Sequence, residues 1–309
     1  MKENIFKILS LLSILLLLTF SILTRYNILK NKNINSSQNS NLETNTSQIQ
    51  KINNYVALGD SITYGTGLEN IDTESYSNLL SDFFNTTVTN HAQDGMNSSW
   101  LLYNIEQGQY VDDIKNAEVI TISVGSNDLF WPFYKKLAEI FGVNITKPHD
   151  LLKSIAENFS KATITEKYDM LSKLYKTTYS EKTKQELDTA VNEYEKKWPK
   201  LISKIKEINP TAKLIVIEYY NPYSHIFLPL IGNGSLGFSA YIDSYIDSLN
   251  KTLYENAHLG YEIAYIKDSF YSSDSTNVSI SVFNFNLDPH PNKNGHKIIY
   301  EKILELLNK

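Results

Sequence analysis

Residues 53–65 read NNYVALGDSITYG, an apolar run that ends abruptly in a glycine, an acid and a serine. Tyr55-Val56-Ala57-Leu58 is short, uncharged and partly aromatic or β-branched, which suits a strand buried on both faces of a parallel sheet. Gly59 ends it. A serine leaving the C-terminal end of such a strand stands in the crevice where open α/β sheets bind ligands. The plainer reading is a strand-to-helix turn in which Asp60 or Ser61 caps the next helix. The rest of the chain has to choose between the two.

The pattern recurs outward from this stretch. Ser75 to Phe84 reads as a helix, TTVTNHA as a short strand ending near Gly95, and AEVITISVGSND carries a buried-strand run from Val119 to Val124 that again stops at a glycine, Gly125. A third such run spans Lys213 to Tyr220 and a weaker fourth Tyr261 to Phe270. Helical stretches fall at Glu193–Ile208, Tyr241–Ala257 and Gly295–Leu307. Strands alternating with helices predict a parallel sheet with helices on both faces. Residues 130 to 198 break the rhythm with charged and aromatic helical sequence, read as an inserted helical cap. There Phe130, Trp131, Phe133 and Tyr134 either line a pocket or pack the insertion onto the sheet.

The chain has 309 residues, 42% of them hydrophobic, enough for one substantial core. Its net charge of −5 gives no basic excess for phosphates and excludes a general nucleic-acid binder. With no cysteine there is no disulfide, no thiolate nucleophile and no Cys-type zinc site. Residues 1–26 hold a nearly unbroken apolar stretch from Ile8 to Leu23, read as an export signal. It lacks a convincing small-residue cleavage site and approaches the ~20 residues of a spanning helix, which favours an uncleaved anchor over a removed peptide. Residues 27–52 are dominated by Asn, Ser, Thr and Gln and read as a disordered tether. The folded domain is expected over 53–309, outside the cytoplasm, membrane-anchored or secreted.

Four places carry chemistry-bearing residues at strand ends or in the C-terminal loop: Gly59-Asp60-Ser61, Asn90 through Gly95, Gly125-Ser126-Asn127-Asp128, and DPHPNKNGH from Asp288 to His296. A serine nucleophile needs a base, a group that holds the base, and donors for the oxyanion formed on the attacked carbonyl. Ser61 and His290 supply the nucleophile and the base. The backbone N–H groups of Ser61 and Gly95 and the carboxamide of Asn127 are candidate donors.

In this order the blocks resemble those of the SGNH hydrolases, the GDSL esterases and lipases. Gly59-Asp60-Ser61-Ile62 looks like the first block, Gly95 the second, Gly125-x-Asn127-Asp128 the third, and His290-Pro291-Asn292 with Gly295-His296 the last, over roughly Asn54 to the C-terminus. Exported lipase-like or acylhydrolase-like members look most similar. The resemblance implies a flavodoxin-like, three-layer α/β/α domain, Ser61 as nucleophile, Gly95 and Asn127 in the oxyanion hole, His290 as general base, and no metal or organic cofactor. The expected substrate is a carboxylic ester, with a lipid acyl ester and an O-acetylated glycan both open. The chain departs from the pattern at one place. The family's acid sits three positions before the histidine, where this chain has Leu287, while Asp288 sits two before. Either Asp288 reaches His290 Nδ1 or a backbone carbonyl does so and a dyad operates.

Asp60 and Asp128 read more simply as acids tying down turn N–H groups. His296 could join Asp288 and His290 in a metallo-hydrolase, but a structural place on the last helix is the simpler reading. His91, His149, His225 and His258 show no partner pattern. Against the serine esterase stands a non-catalytic surface module of the same fold.

Overall fold

The computed structural model describes residues 51–144, 148–224, 238–272, 277–279 and 288–308. The expected anchor and most of the tether, residues 1–50, lie outside these, as do His225 and Leu287. In chain order the elements are β1 (Tyr55–Gly59), α1 (Ser61–Tyr64), α2 (Ile71–Glu74), α3 (Tyr76–Phe84), β2 (Val88–Asn90), α4 (Ser98–Glu106), α5 (Val111–Asn116) and β3 (Val119–Ser123). Four helices follow: α6 (Ser126–Phe141), α7 (Pro148–Lys161), α8 (Ile164–Thr178) and α9 (Glu181–Ile208). Then come β4 (Lys213–Ile217), α10 (Phe238–Asn256), β5 (Glu262–Ala264), α11 (Lys267–Ser272) and α12 (Lys293–Leu307).

The five strands form one parallel sheet in the order β2-β1-β3-β4-β5. This is the flavodoxin-like order, with helices on both faces. Helices α3 and α12 pack together, while α9 packs against α4, α5, α6 and α10. Sandwiching explains the composition of the central strands, because every residue of β1 and β3 is buried. Each fully buried Val, Leu or Ile there contributes about 1.5–3 kcal/mol of transfer free energy.

Two strands are shorter than their apolar runs suggest. β4 ends at Ile217, and Glu218 still donates its N–H to Ala264 O before the Tyr219 N–H is taken by Asn250 Oδ1 at 2.9 Å. β5 covers only Glu262 to Ala264, and the rest of that run turns into α11. A side-chain partner at one end and a helix start at the other displace the strand pairing that hydrophobicity alone favours. Between β3 and β4 the described residues are mainly helical, in α6 through α9, but neither expected edge of the insertion, 130 or 198, is an element end: α6 begins at Ser126, and α9 runs unbroken from Glu181 to Ile208.

The chain leaves β1 toward β2 on one side and, after β2, crosses to β3 on the other side of β1. The C-terminal ends of β1 and β3 therefore flank the point where the winding reverses, and Gly59 lies opposite Ser123 in the register. A crevice opens there for a ligand.

Candidate active site

Ser61 follows β1 as the first residue of α1, and Asp60 caps that helix by accepting the Ile62 N–H at 3.0 Å. The N–H of Asp60 donates to Ser123 O at 2.9 Å, which ties the serine loop to β3. The acid beside the serine thus does the turn work expected of it. It is only 1% exposed, and burial pushes its carboxyl up to about 7, while the Ile62 N–H and the neighbouring His290 act in the lowering direction.

The C-terminal loop brings His290 to the same crevice. His290 Nε2 lies 2.8 Å from Ser61 Oγ, across 229 positions of sequence. On the other side of the ring, Nδ1 bonds Asp288 Oδ1, which also accepts the His290 backbone N–H at 3.1 Å. A carboxylate at Nδ1 fixes the proton on that nitrogen, so Nε2 is left as acceptor for the Ser61 hydroxyl. Both His290 and Asp288 are buried, which strengthens the pairing by excluding water. The two-residue spacing therefore suffices to bring acid and imidazole together.

Asn127 stands in the first turn of α6, just past β3. One Nδ2 hydrogen is donated to Met96 O at 2.9 Å, leaving the other, and Asn127 lines the crevice together with Ser61 and His290. Gly95, at φ +79, lies in the turn immediately before Met96 and is not among the residues lining the crevice. Asp128 accepts Ser98 N–H at 2.8 Å and the Ser98 hydroxyl at 2.5 Å, locking the start of α4 to α6. Burial raises its carboxyl to about 6, against the lowering effect of the Ser98 bonds.

Gly125 has a steric reason of its own. A Cβ there would fall 2.2 Å from the Tyr219 hydroxyl, which donates to Val124 O at 2.6 Å and is met by Tyr194 OH at 2.6 Å. These tyrosines pin the end of β3, and sequence reading passed over both. Tyr220 was missed as well. It lines the crevice and donates its hydroxyl to Pro289 O at 2.8 Å, holding the loop between Asp288 and His290. The signal available was the position of EYYNP at the end of a predicted strand, the same kind of place that singled out Ser61 and Asn127.

Of the four aromatics after Asn127, Phe130 and Tyr134 face the crevice one helical turn apart, stacked with ring centroids 6.1 Å apart. Phe133 is buried and Trp131 half-buried in the packing of the insertion, so both readings of this cluster hold, for different residues. Leu152 of α7 completes that apolar wall. His296 is fully buried, and its Nδ1 accepts the Tyr76 N–H at 3.2 Å. Burial, helped by His290, holds its imidazole down at about 3, so it stays neutral and structural. His91 pairs with Asp113 at 2.8 Å, and His258 Nδ1 meets Glu255 O at 2.8 Å. Of His149 only the backbone, at the start of α7, is described. Among the described residues no group of three or more His, Cys, Asp or Glu side chains is arranged to hold a metal ion.

With this geometry in hand, comparison with known proteins is direct. A family model described as GDSL-like lipase/acylhydrolase matches residues 55–303. The uncharacterized protein YpmR of Bacillus subtilis (strain 168) is 25% identical over 261 residues, 82% of this chain and 80% of that protein. Among solved structures, a lipase from a goat rumen metagenome superposes with a TM-score of 0.51 at 18% identity, covering 82% of this chain and 96% of that one. Phospholipase A1 from Streptomyces albidoflavus NA297 does so with a TM-score of 0.50 at 17% identity, covering 82% and 99%. The two structures share the fold, and the family match runs from β1 into α12, across all the strand ends that build the crevice. The chain belongs to the GDSL-like lipase/acylhydrolase family.

Proposed function

We propose that this family member is a serine esterase that cleaves carboxylic esters through an acyl-enzyme on Ser61. The observation that carries the proposal is the continuous chain from Ser61 Oγ through His290 to Asp288. Ser61 Oγ attacks the ester carbonyl carbon while its proton passes to His290 Nε2, and Asp288 stabilises the imidazolium so formed. The N–H of Ser61 and the free amide hydrogen of Asn127, both at the crevice, meet the charge developing on the carbonyl oxygen, and the N–H of Gly95, in the turn before Met96, is the third candidate donor. Collapse of the tetrahedral adduct breaks the ester C–O bond, and His290 returns the proton to the departing alcohol. Water, deprotonated by His290, then attacks the acyl-enzyme, and the carboxylic acid leaves as Ser61 regains its proton.

The wall of Phe130, Tyr134 and Leu152 supports an acyl group with apolar carbon to bury rather than acetyl alone. The apolar span Ile8–Leu23 and the polar tract after it support action outside the cytoplasm, at a membrane or after release. The test is labelling by a fluorophosphonate probe together with turnover of a nitrophenyl ester series of rising chain length. Ser61→Ala is expected to lose both labelling and turnover while keeping its melting temperature. Turnover at the wild-type rate in Ser61→Ala would overturn the proposal, and so would a wild-type protein that neither labels nor turns over any ester, the behaviour of a binding module.

A further inference from the structure

The turn that follows α1, Gly65-Thr66-Gly67, touches each arm of the crevice. The N–H groups of Gly65 and Thr66 both donate to Ser61 O, at 2.9 and 3.0 Å, so the turn is fastened to the backbone of the serine. Its middle residue reaches a second arm: the buried Thr66 hydroxyl donates to Asp94 Oδ1, and Asp94 is the residue directly before Gly95. Its last residue reaches the third. Gly67 stands at φ +89, and a Cβ there would come within 2.7 Å of Asp288 Oδ2 and 3.6 Å of His290 Cβ. The turn is thus wedged against the acid, has no room to shift toward it, and keeps Thr66 at a fixed height beside the Gly95 loop.

From this juxtaposition, and resting on the esterase reading, we propose that Thr66 and Asp94 form a positioning pair that sets the Gly95 loop against Ser61. Two effects follow from the chemistry. The hydroxyl-to-carboxylate bond fixes the spacing between the loop that carries the nucleophile and the loop that carries a candidate oxyanion donor. It also occupies Asp94 Oδ1, whose negative charge would otherwise be free to compete with a substrate oxyanion for the N–H groups of that loop. A donor must sit within hydrogen-bond distance of the oxyanion rather than of the ground-state carbonyl, so loosening this spacing penalises the transition state more than substrate binding. Neither residue touches the substrate in this scheme.

The experiment compares kcat and KM for an activated ester in wild type, Ser61→Ala, Thr66→Val, Thr66→Ser, Asp94→Ala and the double variant Thr66→Val/Asp94→Ala, with melting temperatures for all. Thr66→Val keeps the shape and removes the donor. Its kcat is expected to fall about tenfold, short of the ~10²–10³-fold cost of deleting an oxyanion donor outright, with KM little changed. Thr66→Ser restores the rate. Asp94→Ala falls by a similar factor, and the double variant falls no further than the worse single one, because both remove one interaction. Full kcat in Thr66→Val, a loss confined to KM, or additive losses in the double variant would overturn the pair. If Thr66→Val does not fold, the half-buried Asp94→Ala carries the same comparison alone. An active Ser61→Ala would instead bring down the esterase reading, so the two failures are distinguishable.

Discussion

At the scale of single residues the decisive feature is how Asp288 reaches a histidine only two positions away. Backbone direction alone leaves this open, since residues two apart share a face in an extended strand but not in a polyproline helix. A side-chain turn makes the contact. Asp288 Oδ1 accepts the His290 N–H at 3.1 Å, an Asx-type turn that folds the carboxylate back beside the ring and onto Nδ1. Tyr220 then holds the carbonyl of the intervening Pro289. Asp288→Asn is expected to lower kcat by up to ~10⁴-fold, as for an acid that fixes the imidazole tautomer, and His290→Ala to be nearly inactive. Measured on one activated ester, a loss within roughly tenfold for Asp288→Asn beside an inactive His290→Ala would mean that a dyad operates.

Among the elements, α6 does two jobs from one helix. Its first turn places Asn127 at the crevice and buttresses it through Met96 O, while Asp128 grips the start of α4. Its second and third turns present Phe130 and Tyr134 to the same space, so one helix carries both the candidate donor and part of the apolar wall. Asn127→Ala should retain probe labelling but lose ~10²–10³-fold in kcat, the effect of deleting one oxyanion donor. Steady-state kinetics on the same ester checks this, and an unchanged kcat would remove Asn127 from the reaction.

For the whole molecule, buried titratable groups couple stability to pH. Burial holds Asp60 at about 7 against its ordinary 3.8, so the folded state binds this proton more tightly than the unfolded chain does. Stability from this group is therefore fully present below pH 3.8 and is lost as pH rises toward 7, where the carboxylate must ionise inside the fold. Asp60→Asn removes the charge, and its amide oxygen can still accept the Ile62 N–H. The variant should melt above wild type at pH 8, with the gap shrinking steadily toward pH 4. Thermal melts across that range decide it, and a gap that is constant or grows on acidification would contradict the assignment.

Much of this protein is determined locally. The runs Tyr55–Leu58 and Val119–Val124 carry no charge and, Thr121 and Ser123 apart, are hydrophobic because parallel strands are covered on both faces, and the residues that follow them are confined to the sheet's C-terminal edge. Those two facts make Ser61 and Asn127 readable as candidate site residues, and the order of the blocks makes the family readable. The pairing of Ser61 with His290 spans 229 positions, and no periodicity encodes it; it depends on the strand order β2-β1-β3-β4-β5 and on where the last loop returns. The same holds for Tyr219 beneath Gly125, Tyr220 on Pro289, Leu152 in the crevice wall and Thr66 on Asp94. Each is an ordinary residue in its local sequence. Only long-range packing sets its distance to a reactive group, and a hydrogen bond or a steric contact changes its effect within a few tenths of an ångström.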